Sequence, residues 1–238
     1  MRDRAAPIAT PPARSRIGPA FAVVAALLAL FFLLARLVVF DGRTGLDHAV
    51  TLRVHTWVTP DRTTFMRAVT ALGASWFAAI ICGGVVLWCF WQRRFRTVAA
   101  LTGLFLFAKL LEVGFKSSFA RPRPTIVPHL VDAGGYSFPS GHAITATITW
   151  GLLAAVLTCH LRGRLRAGPP FVAAVVIAAV GFSRIYLGVH YLTDVIAGTL
   201  LAAACLVPAI MALCLLDCPV PTSPDRREPV ASSPTGEG

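Results

Sequence analysis

The chain has 238 residues, of which 56% are apolar and 14% charged, and a formal net charge of +11. Soluble domains carry about a quarter charged residues, so much of this surface faces something other than water. The basic excess sits mostly in arginines of short loops and the N-terminal stretch. No basic helix is interleaved with aromatics, so a nucleic-acid partner is set aside in favour of membrane topology and anionic headgroups.

Residues 1–16 contain Pro7, Pro11, Pro12 and four arginines and show no helical apolar repeat; they read as a disordered cytoplasmic tail. Ile17 to Phe40 is apolar apart from Arg36, which can snorkel. It exceeds the usual apolar core of a cleaved signal peptide, so a retained first span is expected. From Asp41 to Arg67, Leu46, Val50, Val54 and Trp57 fall on one helical face, which predicts a short interfacial helix. Val69 to Trp91 carries no charge and is the cleanest span. A basic loop at 92–96 follows, then a third span from Thr97 to Phe115.

The stretch 116–139 is rich in proline and arginine and reads as a loop. Gly141 to Leu161 is the fourth span, 162–166 a second basic loop, Pro169 to Tyr186 the fifth span, and Tyr191 to Leu216 the sixth. Residues 217–238 read as a disordered tail. The fold expected is therefore all-α: one polytopic domain over 17–216, a six-transmembrane helix bundle. The arginine-bearing short loops and both termini are placed in the cytoplasm. The six cysteines lack CxxC spacing and read as small apolar packers.

Ionisable residues at membrane depth are costly and commonly functional. Three clusters of them fall at the expected outer ends of the helices. The first is Lys116 with Arg121, Pro122, Arg123 and Pro124. The second is Pro139, Ser140, Gly141 and His142. The third is Ser183, Arg184, His190 and Asp194. Cations, two imidazoles and one carboxylate on one side of the bilayer suit a bound oxyanion. The spacing Lys116 to Arg123-Pro124, then Pro-Ser-Gly-His, then Ser-Arg to His190 and Asp194, resembles the three-part signature of the type 2 phosphatidic acid phosphatase family. Vanadium haloperoxidases belong to the same superfamily. The likeness covers roughly residues 69–215, with no departure at a signature position.

The chemistry follows from these residues. Asp194 lies one turn after His190 and can orient its imidazole, freeing the other nitrogen as nucleophile. Attack on phosphorus gives a phosphohistidine. His142 is the candidate acid for the leaving group and later the base for water. The resemblance implies the same nucleophile. Lys116, Arg123 and Arg184 are placed to neutralise the phosphoryl oxygens, with Ser140 and Gly141 at a helix N-terminus. Ser183 and Arg121 read as supporting residues. Two histidines and an aspartate could hold a metal, but three cations in the cluster would repel one, so neither metal nor other cofactor is expected.

Lys109 and Glu112 share a helical face with Lys116 and read as a pair facing the bundle interior. His48, His55, His129 and His160 read as surface or interface residues. The resulting expectation is an extracytoplasmic-facing enzyme of the plasma membrane that acts on a lipid phosphate or diphosphate. The resemblance to bacterial members implies polyprenyl diphosphate, phosphatidic acid or phosphatidylglycerol phosphate as substrate, with a slight lean to the first. Phosphoryl transfer to another acceptor, a lipid transporter and a vanadate-dependent oxidase are the alternatives; oligomeric state is left open.

Overall fold

The computed structural model describes residues 14–216, so the tail expectations at 1–13 and 217–238 lie outside the described residues. Within them the chain is helical, with no strand among the described residues. The helices are α1 (Arg14–Ala35, continued by a π turn at Arg36–Phe40), α2 (Gly45–His55), α3 (Pro60–Ala71), α4 (Ser75–Trp91) and α5 (Phe95–Phe119). After a long loop come α6 (Gly141–His160), a 3₁₀ turn at Gly163–Ala167, α7 (Gly168–Tyr186) and α8 (Leu192–Leu216). Six segments are long and apolar enough to cross a membrane, so the expected six-span helix bundle is the observed architecture.

The bundle is built around α6, which packs along both α7 and α8, while α8 also lies against α1 and α5. Ala143, Ile144, Ala146, Ile148 and Leu152 of α6 are all buried. Small residues permit the close approach: a Cβ on Gly198 of α8 would come within 2.6 Å of the Ser140 carbonyl oxygen. Near the N-terminal end of α6, Phe31, Phe115, Phe119 and Phe138 form an aromatic plug that joins α1, α5 and the long loop. On the outside, Phe21, Trp76, Ile80, Trp91, Leu110 and Phe171 are exposed. An apolar exterior of this kind is a lipid-facing surface.

Three expectations need correction. Residues 14–16, read as part of a disordered tail, begin α1. The second span is not a continuous helix from Val69. Residues 69–71 finish α3, and α4 begins at Ser75. The break at Leu72–Ala74 lies where α3 and α4 pass α6 and α7: a Cβ on Gly73 would meet Val180 Cγ1 at 2.5 Å and the His142 carbonyl at 3.1 Å. The interfacial segment is two helices rather than one. Its most buried positions in α2 are Asp47, Thr51 and Val54, whereas Leu46 and Trp57 are exposed. The apolar stripe was the stronger periodic signal, but a buried ion pair outweighs it.

The helix boundaries follow local chemistry. Thr59 caps α3 by accepting from the Arg62 N–H, with Pro60 at the first helical position. α5 runs past the expected Phe115 by one turn, which carries Lys116 onto the helix, and ends on Ala120 in the left-handed conformation, φ 46°. Asp194 caps the start of α8 by accepting from the Tyr191 N–H at Oδ2, 2.9 Å away.

Candidate active site

The antiparallel run of helices brings the C-terminal ends of α5 and α7 to the N-terminal ends of α6 and α8. All ten residues singled out in the sequence lie at this one end. Lys116 comes from α5, and Arg121 and Arg123 come from the long loop. Ser140, Gly141 and His142 open α6, Ser183 and Arg184 close α7, His190 sits in the α7–α8 turn, and Asp194 is in the first turn of α8.

The long loop is fastened at several points. The Ser137 N–H donates to the Arg121 carbonyl at 2.8 Å and the Leu130 N–H to the Leu187 carbonyl at 3.0 Å. Arg67 Nη2 donates to the Leu130 carbonyl at 2.6 Å. His129, expected as a surface or interface residue, braces the same loop through Nε2, 2.7 Å from the Pro124 carbonyl. The turn ahead of His190 passes through Gly188 at φ +75°, where a Cβ would meet the Pro128 carbonyl oxygen at 2.8 Å. Only glycine satisfies both demands.

His190 is 2% exposed. Its Nε2 lies 3.3 Å from Arg123 Nη1, and its Nδ1 lies 3.6 Å from Asp194 Oδ2. A guanidinium can only donate, so Nε2 carries the lone pair and the proton resides on Nδ1, on the Asp194 side. The Nδ1–Asp194 separation exceeds hydrogen-bond length and acts as an electrostatic contact. Burial lowers the pKa of His190 below the ordinary imidazole range. Asp194 pulls in the opposite direction, and Arg184 and Arg123 add to the lowering.

Arg123 is held rigidly. Nε donates to the Gly135 carbonyl at 3.1 Å, Nη2 to that of Gly134 at 2.8 Å, and Nη1 to that of Val189 at 2.7 Å. Three of its five N–H groups are thus bound to backbone carbonyls, and a fourth points at His190 Nε2. Arg184 is 5% exposed; Nη1 donates to Thr70 Oγ1 at 2.9 Å, and its Nε has no partner in the protein. Ser140 Oγ is likewise buried and unpartnered, while its N–H is fixed to the Asp194 carbonyl at 3.0 Å. His142 lies within electrostatic reach of Arg184, His190, Lys109 and Lys116. Two buried donors without partners beside fixed cations make a cradle suited to a tetrahedral anion.

The two supporting residues differ. Ser183 Oγ donates to the Val180 carbonyl at 2.6 Å within its own helix. Arg121 is a central tie: 5% exposed, it bonds Asp194 Oδ1 through Nη1 and Asp47 Oδ2 through Nη2 at 2.8 Å, and it stacks 4.5 Å above the Tyr191 ring. Asp47 also accepts from the Thr193 N–H at 3.0 Å and from its hydroxyl. Sequence reasoning missed Asp47 and Thr193. The available signal was that Asp47, Thr51 and Val54 share a helical face.

Lys109 and Glu112 pair as expected, at 2.8 Å, and Lys116 joins them at 3.0 Å. The space that Gly141 leaves open is filled by the Glu112 carboxylate, which a Cβ there would strike. An apolar hollow of about 390 Å³, lined by Trp57, Arg62, Met66, Phe182 and Tyr186, contains none of these residues.

Known proteins resemble this chain in sequence and in fold. A profile of the PAP2 superfamily matches residues 96–214. The chain is 31% identical to phosphatidylglycerophosphatase B of Bacillus subtilis (strain 168) over 176 residues, 72% of this chain and 85% of that one. It is 28% identical to a lipid A 4'-phosphatase of Porphyromonas gingivalis over 141 residues, 53% of this chain and 57% of that one. The crystal structure of a transmembrane PAP2 type phosphatidylglycerolphosphate phosphatase from Bacillus subtilis superposes with a TM-score of 0.72 at 28% identity, covering 78% of this chain and 93% of that one. The chain therefore belongs to the PAP2 superfamily, as a membrane-spanning phosphatase of that type.

Proposed function

We propose that this enzyme hydrolyses a phosphate monoester or diphosphate on a lipid, through a phosphohistidine on His190. The observation that carries the reading is the placement of His190: Nε2 bears its lone pair among Arg123 and Arg184, with Asp194 behind Nδ1. Nε2 attacks phosphorus in line. The P–O bond to the lipid breaks and the leaving oxygen takes a proton from His142. His142 then accepts a proton from water, whose oxygen attacks phosphorus, breaks the P–N bond and releases inorganic phosphate.

Lys116, Arg123 and Arg184 neutralise the equatorial oxygens in both steps, and the unpartnered Ser140 Oγ and Arg184 Nε complete the cradle. No metal is required, because the same cations would repel one. Short-loop arginines support an extracytoplasmic site in the plasma membrane, where a lipid delivers its headgroup by lateral diffusion. Phosphatidylglycerol phosphate heads the substrate panel because the 31% identical relative is named for it. Phosphatidic acid and a polyprenyl diphosphate complete it.

Purified protein in detergent with EDTA is expected to release phosphate from at least one of these lipids. His190→Ala should lose activity by roughly 1000-fold or more with its thermal unfolding unchanged. Release only on adding a divalent metal, or an active His190→Ala enzyme, refutes the reading.

A further inference from the structure

Glu112 takes no part in the steps above, yet it is 8% exposed inside a membrane-spanning helix beside the phosphate cradle. Both carboxylate oxygens are used: Oε1 accepts from Lys116 Nζ at 3.0 Å and Oε2 from Lys109 Nζ at 2.8 Å. Lys109 is anchored in turn, donating to Thr145 Oγ1 of α6 at 3.1 Å and to Ser75 Oγ of α4 at 3.3 Å. The carboxylate also fills the space beside Gly141, the residue at which α6 begins. A charged group at this depth is expensive unless it is paired and useful.

We propose that Glu112 is a positioning residue for the hydrolysis. It holds the Lys116 ammonium in place against the phosphoryl oxygens, and its own position is set by Lys109 and by the missing side chain at residue 141. An ammonium on a four-carbon stem has many rotamers. One hydrogen bond to an anchored carboxylate removes most of them and leaves two N–H donors for the substrate. Preorganisation of that kind acts in the transition state. The anchor also argues against Glu112 as an internal competitor that substrate must push aside. A displaceable group would not be tied to α4 and α6 through Lys109. Gly141 is then required by the enzyme's own carboxylate.

The inference rests on the lipid phosphatase reading, and the test separates the two. Steady-state kinetics are measured in detergent micelles on whichever lipid of the panel the wild type hydrolyses, with unfolding temperatures alongside. Glu112→Gln keeps the shape and removes the charge. It is expected to lower kcat by about 10- to 100-fold with KM changed by less than about threefold. In a Lys116→Ala background the same substitution should change kcat by less than about twofold, because Glu112 acts through Lys116.

Should Glu112→Gln lower the unfolding temperature markedly, Lys109→Gln is judged by the same two criteria, with an expected loss of about threefold or more. Gly141→Ala, which drives a methyl against the carboxylate, should also lower kcat. A Glu112→Gln enzyme with kcat near wild type, a lowered KM, or a further loss in the Lys116→Ala background overturns the proposal. A wild type that releases no phosphate from any lipid overturns the functional reading instead.

Discussion

His190 shows how one side chain acquires two different nitrogens. Arg123 can offer only N–H groups to Nε2, and Asp194 can only accept from Nδ1, so the tautomer is chosen by its neighbours. Burial works with them, because a charged imidazole in this place would lose its hydration. Since the folded-state value is lowered, the ring stays neutral as the pH falls through the ordinary imidazole range, and the lone pair is kept. In NMR of histidine-labelled protein, assigned by difference with His190→Asn, the His190 ring is expected to titrate below pH ~6.5. Titration at or above that value would show that Asp194 dominates over burial. The same ring charges at a cost to folding, so stability present above pH ~6.5 declines as acid is added.

At the scale of elements, the unexpected finding is that α2 is part of the site. Asp47 reaches Arg121 and both polar groups of Thr193, and Arg121 reaches Asp194. Arg121 is held above its ordinary pKa because the two carboxylates outweigh the opposing effect of burial. Removing the cation leaves two buried carboxylates facing each other. Arg121→Met is therefore expected to lower unfolding stability by about 3–5 kcal/mol, and Asp47→Asn should weaken the same tie to a smaller extent. Reversible unfolding in mixed micelles checks this. A loss below ~0.5 kcal/mol for Arg121→Met would mean that the network contributes no net stability. The break between α3 and α4 belongs to the same scale. Helix α3 supplies Thr70, which fixes Arg184, and a continuous span from Val69 would have carried that hydroxyl elsewhere.

For the whole molecule, six antiparallel spans put every signature residue at one end and the basic segments 92–96 and 162–166 at the other. Short-loop arginines then predict which end faces the cytoplasm. In a background with the native cysteines replaced, Asp132→Cys in the long loop should react with a membrane-impermeant maleimide on intact cells. Arg164→Cys should react only after the cells are opened. The reverse pattern would place the active site in the cytoplasm and remove the extracytoplasmic assignment. The exposed apolar belt and the one-ended polar cluster also fit chemistry at headgroup depth better than transport, which needs polar groups along the depth of the bundle.

Much of this architecture is legible in the amino-acid sequence alone. A bilayer demands about 20 consecutive apolar residues per helix, so the six spans stand out in the chain. Lys116, Arg123, His142, Arg184, His190 and Asp194 are chemically unmistakable because charge is scarce in such a sequence. Their convergence follows from the alternation of spans alone. What the chain could not disclose was decided by packing: the partition of Val69–Trp91 between two helices, the role of Asp47, and the carboxylate beside Gly141. Each depends on contacts between residues distant in sequence, where a close approach or a buried counter-charge outweighs local apolar periodicity.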